Sequence, residues 1–171
     1  SDITYFVTHP CHPPIFNDET DLPAKSDHFG GVAAKQHIVN ALMQGPEAHY
    51  TLGEEVARTI WAPVMRSHRI TVEQMAILEP GLSETVCATL LAAMRDAMEE
   101  AIRRGVPREA ARDFLLGHMN ILAAVTFEKI NGQFSDACNK AIIFGKETIL
   151  KPDWLQLFEP DEIKRSVERI T

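Results

Sequence analysis

Cysteine is scarce and scattered in this chain. Cys11, Cys87 and Cys138 are odd in number and far apart, which argues against a disulfide framework and points to a reducing compartment, with the cytoplasm as the expected location. A basic stretch is also missing. The 17 Lys and Arg residues are spread along the chain against 24 Asp and Glu, a formal charge of -7, which excludes the electrostatic footprint of a nucleic-acid binder. Long hydrophobic runs are absent too: the longest charge-free apolar run, Thr85 to Met94, is about half of what a bilayer crossing needs, and no basic region leads into an apolar one at the N-terminus. Neither a membrane span nor a signal peptide is expected. Finally, no G-x-G-x-x-G lies between a strand and a helix and no G-x-x-x-x-G-K-[ST] occurs, so nothing in the chain cradles a pyrophosphate, and alone it should bind a dinucleotide poorly or not at all. The chain has no initiator Met and opens close to an apolar, strand-like run, as expected when something precedes it.

What is present suits a folded domain. The 171 residues, 45% apolar and 24% charged, are enough for one core, or for one domain and part of another. Ile3 to Thr8 is rich in β-branched and aromatic residues and runs into His9-Pro10-Cys11-His12-Pro13-Pro14, where three prolines forbid helix and central ladder alike; this predicts a buried strand entering a rigid loop. Asn17 to Gly31 reads as an exposed connection, and His37 to Met43 as a second strand stopped by Gly45-Pro46. Two strands do not make a stable sheet, so this segment needs neighbours.

From Glu47 onward apolar residues recur at three- and four-residue steps, the helical period. The spacing predicts a helix over Leu52 to Met65 interrupted near Pro63, another from Thr71 to Leu78 with a Thr cap, and a break at Pro80-Gly81. A long helix from Ser83 to Arg104 follows, ending in a basic turn and Gly105, and its first ten residues after Glu84 are apolar or small on every side, which implies burial all round. Pro107 opens the next helix, to about Lys129, with Phe114, His118, Ile121 and Val125 on one stripe. Ser135 or Asp136 caps a further helix to Ile149, and Asp161 starts a short last one.

Four constellations could carry chemistry. His12, with His9 and Cys11 in the proline loop, could reach a ligand from the end of a strand, or the histidines could simply be surface residues on a fixed turn. Glu79 and Glu84 flank the break; a carboxylate at a helix start is favoured by the dipole alone, yet a carboxylate leading a wholly apolar stretch is one whose proton affinity can be tuned. His118 lies on an apolar stripe, where a hydrogen-bonded core histidine is the plain alternative to a base, and Gly117 beside it permits close approach. Ser135 and Asp136 serve as caps, and nothing singles out Lys129 or Lys140 as a general acid or base.

His9-Pro10-Cys11-His12-Pro13-Pro14, Phe29-Gly30-Gly31, Lys35-Gln36-His37, Ala41 to Glu47, Ser67 to Met75, Leu78-Glu79-Pro80, Ser83-Glu84-Thr85 and Asp113 to His118 together resemble a bacterial phosphogluconate dehydrogenase-like group that includes the D-apionate oxidoisomerases. The resemblance spans nearly the whole chain. It implies a mainly α fold, a helical 6-phosphogluconate dehydrogenase-like C-terminal domain over 47–171 that binds substrate and dimerises, preceded over 1–46 by the last strands of a truncated Rossmann domain. The implied chemistry is oxidation of a hydroxyl on a small polyhydroxy acid by hydride transfer to NAD or NADP, with isomerisation of the resulting keto acid as a further step. On that resemblance His118 and Glu84 do the proton work, and His12, Glu79 and Asn120 contact substrate. A weaker similarity to the helical domain of ketol-acid reductoisomerases implies a divalent metal at Glu79, Glu84 and His118. The competing reading is a non-catalytic helical dimerisation or binding module.

Overall fold

A computed structural model describes residues 2–170. The chain divides into two compact units, one up to Glu79 and the other from Pro80.

The first unit is built on a three-stranded sheet of β1 (Tyr5–Pro10), β2 (Gln36–Gln44) and β3 (Val64–Arg69), in that order. β1 runs antiparallel to β2, with Pro10 opposite Ile38, and β3 runs parallel to it, with Asn40 opposite Arg69. The central strand lacks a polar alternation because both of its faces are covered, and Gln36, Ile38, Val39, Asn40 and Ala41 are all buried. The face that carries Phe6, Thr8, Ile38 and Asn40 packs on helix α2 (His49–Ile60), which buries Tyr50 and Ala57. Phe6 and Tyr50 meet ring to ring at 5.5 Å.

Buried polar groups tie the elements together, as desolvated donors must. Asn40 Nδ2 donates to Ser67 Oγ of β3 at 2.7 Å, Gln36 Nε2 donates to the Trp61 carbonyl at 2.9 Å, and Trp61 Nε1 donates to Thr8 Oγ1 of β1 at 3.0 Å. Trp61, just past α2, thus spans from β1 to β2.

Two parts of this unit differ from expectation. The helix expected over Leu52 to Met65 with an interruption near Pro63 ends at Ile60, ahead of that proline, which has no N–H to continue it, and Val64 to Arg69 turns instead into β3. The main-chain groups of β3 find partners on β2, a tertiary pairing that outweighs local helical spacing. It carries the sheet-bearing unit to Glu79, past Pro46, the expected end of the sheet. The connection expected to be irregular also holds a short helix α1 (Leu22–Ser26), whose cap Asp21 accepts from Ala24 N at 3.1 Å.

The Thr cap expected at Thr71 is present at the start of α3 (Val72–Ala76) and is part of a full capping box: Thr71 Oγ1 accepts from Gln74 N, and Gln74 Oε1 accepts from Thr71 N. The wide-turned segment Ile77–Ala88 follows and breaks at Glu79, whose φ of -132° and ψ of 98° are those the following proline imposes. From Pro80 the helix winds on through α4 (Thr89–Arg103) and stops at Gly105, φ 101°. The remaining elements of the second unit are α5 (Arg108–Thr126), α6 (Asp136–Ile149), a 3₁₀ turn at Trp154–Phe158 and α7 (Pro160–Ile170). Glu99 accepts two bonds of 2.7 Å from Arg108 across the turn between α4 and α5. Ser135 Oγ caps α6 by accepting from Cys138 N.

The expectation of burial all round after Glu84 is overturned. From Thr85 to Met94 only Val86 is even half-buried, α4 and α6 bury no residue, and α5 buries Ala124 alone. The pattern is that of a buried helix, but no described segment of this chain supplies the cover. Counted as one helical run, Val72–Arg103 is long and apolar enough by length and composition to cross a bilayer, with a mean hydropathy of 1.2 over its best window and 17% of that window buried. The shorter charge-free run considered in the sequence understates it.

The contact of α2 with β1 is tight at Gly53, where a Cβ would stand 2.4 Å from the Phe6 ring. Gly53→Ala is expected to destabilise the protein by about 1–3 kcal/mol, the usual range for overpacking. Chemical denaturation checks this; a loss under about 0.5 kcal/mol would mean the ring turns away freely and does not hold α2 in place.

Candidate functional site

The proline loop of the first unit presents a constrained histidine. His12 adopts φ 61°, a left-handed conformation that costs a non-glycine residue about 1–2 kcal/mol. Its Nδ1–H donates to the Phe29 carbonyl at 2.8 Å, and its ring meets those of Phe29 and His9 edge-on at about 6 Å. His9 Nδ1–H donates likewise to the Pro10 carbonyl at 2.7 Å. A ring nitrogen committed to a carbonyl carries the proton, so the other, Nε2, is the one offered to a ligand.

Asp27 holds the carbonyl that His12 uses. Its carboxylate accepts from the main-chain N–H of Gly30, Val32, Ala33 and Ala34 at 2.9–3.2 Å. Gly30 and Gly31, with φ of 82° and 84°, let the chain fold its amides back onto that carboxylate. Those amide bonds, led by Ala33 and Ala34, hold the Asp27 carboxyl below the usual carboxylate range. The sequence signal for this turn was present in Asp27-x-x-Gly30-Gly31, although it read only as an exposed connection.

The loop sits at the carboxyl end of β1, which is the amino end of β2 and β3 because β1 runs against them. Beside it Cys11 N donates to the His37 carbonyl at 2.8 Å. Partial burial of the Cys11 sulfur raises its thiol above the ordinary range, so it is no ready thiolate nucleophile. Burial, then the charges of Arg66 and His68, lower the His37 imidazole. The His37 and His68 rings lie 5.9 Å apart. At the far end of β3, Arg69 pairs with Glu47 and lies 4.2 Å over the Tyr50 ring, bracing the strand against α2.

In the second unit His118 is exposed. Its Nδ1–H donates to the Phe114 carbonyl one turn back at 2.8 Å, and its ring stacks on Phe114 at 4.0 Å. Nε2 is therefore open to a ligand and backed by a main-chain acceptor, the arrangement that orients an imidazole for proton transfer. The plain alternative, a satisfied core histidine, does not hold within this chain. Glu84 is also exposed, so the dry flank expected around it is not provided by the chain itself. Asn120 is exposed on α5 two residues beyond His118. Residues so spaced stand about 200° apart on a helix, so α5 does not turn both toward one ligand. Glu79 is half-buried at the helix break.

Among the described residues no three His, Cys, Asp or Glu side chains gather into a group that could hold a metal ion. Glu79, Glu84 and His118 therefore make no metal site in this chain alone. Among the described residues no strand opens through a glycine-rich turn onto a helix, the element that cradles a dinucleotide's pyrophosphate.

Residues 17–171 match the family described as phosphogluconate dehydrogenase (decarboxylating) C-term. A D-apionate oxidoisomerase of Rhizobium rhizogenes is 71% identical over 170 residues, 99% of this chain and 62% of that protein. Another, from Cupriavidus necator, is 66% identical with the same coverage. A crystal structure of a semialdehyde dehydrogenase NAD-binding protein from Cupriavidus necator, in complex with calcium and NAD, matches with a TM-score of 0.98 at 66% identity, over 99% of this chain and 62% of that one. The chain thus spans somewhat under two thirds of the length of these relatives.

Asp27 sets a pH dependence. A carboxyl whose folded pKa is depressed contributes stability that is fully present above its unfolded pKa, near 3.9, and is lost as pH falls through the lower folded value. Hydrogen exchange at Gly30, Val32, Ala33 and Ala34 is expected to accelerate over that acid range, and Asp27→Ala to abolish their protection already at neutral pH. Unchanged protection in the variant would show that the loop is held by something else.

Proposed function

Because the chain belongs to the phosphogluconate dehydrogenase (decarboxylating) C-terminal family, we propose that it is the substrate-binding and dimerising part of a longer NAD- or NADP-dependent oxidoreductase. The substrate is a small sugar acid of the apionate kind, oxidised at a hydroxyl, with isomerisation of the keto acid as a following step. The observation that carries this reading is kinship over 99% of the chain at 71% and 66% identity to two proteins named D-apionate oxidoisomerase. Oxidising a hydroxyl requires a group that takes its proton, and His118 supports that role, with Nδ1–H held by Phe114 O and Nε2 open. Glu84 is the second proton-handling group, with His12 and Glu79 as substrate contacts; Asn120, on the other side of α5 from His118, is not proposed as one. The cofactor is held by parts of the protein other than these residues, which offer it no pyrophosphate cradle.

The sheet-bearing unit up to Glu79 fits the closing part of a dinucleotide-binding domain. β1 is an edge strand, and beside it Thr4, Phe6, Leu52, Val56 and Ile60 line an apolar groove of about 330 Å³. Three strands with an open apolar edge are a partial sheet. The helical domain of this reading is the unit from Pro80 on, since β3 belongs with the sheet. Its uncovered apolar side chains, among them Leu91, Phe114, Ile121 and Phe144, favour a second copy of the chain as its cover.

The alternative reading, a helical dimerisation module without catalysis, is separated by mutation. In the complete protein Glu84→Gln and His118→Asn are each expected to lower turnover of a sugar acid by about 100-fold or more, the scale for loss of a general acid or base, while sedimentation still shows a dimer. Full turnover in both variants would favour the binding module. The present chain alone is expected to turn over nothing.

A further inference from the structure

In the second unit α7 closes a cleft of about 300 Å³ against the start of the long helix. Buried Gly81 and Ile163 and half-buried Leu157 form its apolar floor, while Thr85, Ser166 and Arg169 stand at its polar rim. The hydroxyls of Thr85 and Ser166 approach to 3.2 Å, so the two helices present them as a pair. Glu162, Arg165, Ser166 and Arg169 repeat at three- and four-residue steps and so share one face of α7. Glu162 neutralises Arg165 in an ion pair. Arg169 has no acidic or carbonyl partner among the described residues, which leaves one uncompensated guanidinium beside two hydroxyls over an apolar floor.

That combination suits an anion carrying hydroxyl groups. We propose that this cleft is the subsite for the carboxylate of a small polyhydroxy acid, with Arg169 forming the paired bonds that a planar guanidinium makes to a carboxylate. Thr85 and Ser166 hydrogen-bond the hydroxyls next to that carboxylate. The inference rests on the substrate class proposed above and adds where its charged end is held. It also anchors the substrate at the helical turn that carries Glu84, the residue before Thr85. The volume is within the range of small-ligand sites.

The test is calorimetric titration of the complete polypeptide that carries these residues, without cofactor, using sodium D-gluconate and the uncharged D-glucitol as probes. Gluconate is expected to bind at least tenfold more tightly than glucitol. Arg169→Gln should lower gluconate affinity by about tenfold or more and Arg169→Lys by less, because lysine keeps the charge but loses the fork; circular dichroism confirms that each variant is folded. Thr85→Ala should narrow the preference for gluconate over acetate. Equal gluconate binding by the parent and Arg169→Gln, or no gluconate binding by the folded parent, overturns the subsite. Kinetics separate it from the wider reading. If the complete protein oxidises a sugar acid and Arg169→Gln leaves KM unchanged, the subsite fails and the dehydrogenase reading stands. If gluconate binding depends on Arg169 but no sugar acid is oxidised, the subsite stands and that reading fails.

Discussion

Apolar side chains have to leave water, and this chain carries more of them than its own folding covers. In the first unit the requirement is met around one strand. β2 is covered on both faces, with α2 on one side and a strand on each edge, and the buried amides of Gln36 and Asn40 fix which groups those neighbours must offer. In the second unit the same requirement is unmet. Leu91, Phe114, Ile121 and Phe144 lie between 46% and 69% exposed on α4, α5 and α6, and covering each such side chain contributes about 1.5–3 kcal/mol. Among the described residues nothing covers these helices.

Three of the histidines share one hydrogen-bonding arrangement. His9, His12 and His118 each commit Nδ1–H to a main-chain carbonyl and present Nε2. The three differ in what the arrangement costs. His118 uses a carbonyl one turn back, which any helical histidine can reach. His12 uses a carbonyl 17 residues ahead, adopts a left-handed conformation to do so, and depends on the four amides gathered by Asp27 to keep that carbonyl in place. A geometry that needs strain at one end and a built turn at the other is seldom incidental, and it fixes the proline loop more firmly than its two histidines suggested in isolation.

The strands β1 and β2 were legible because a β-branched run and a doubly buried one are local patterns, and the caps at Thr71 and Ser135 because a cap depends on its own next three residues. β3 was not. Val64 to Arg69 holds two arginines and a histidine and follows a helix without a clear change of period; it is a strand because β2, from Gln36 onward, lies open to it, and no window along the sequence spans that distance. The burial around Glu84 was misread for a related reason. Periodicity tells that a helix is apolar on every side but not whose side chains cover it. Arg169 gave no local sign at all, since its meaning comes from Glu162 neutralising Arg165 and leaving one guanidinium over.

Cover for the long helix could come from lipid or from protein, and Glu79 and Glu84 decide between them. Both lie inside the run that is apolar enough to cross a bilayer. A charged side chain such as Asp, Lys or Arg at the centre of a spanning helix costs about 2.5–3.5 kcal/mol, and lipid offers no hydrogen-bonding group in return, whereas the helices of a second copy bring apolar surface and polar partners together. On the reading proposed above, a second copy that covered this helix would enclose Glu84 as well, so that assembly and the site become a single requirement on the same helix.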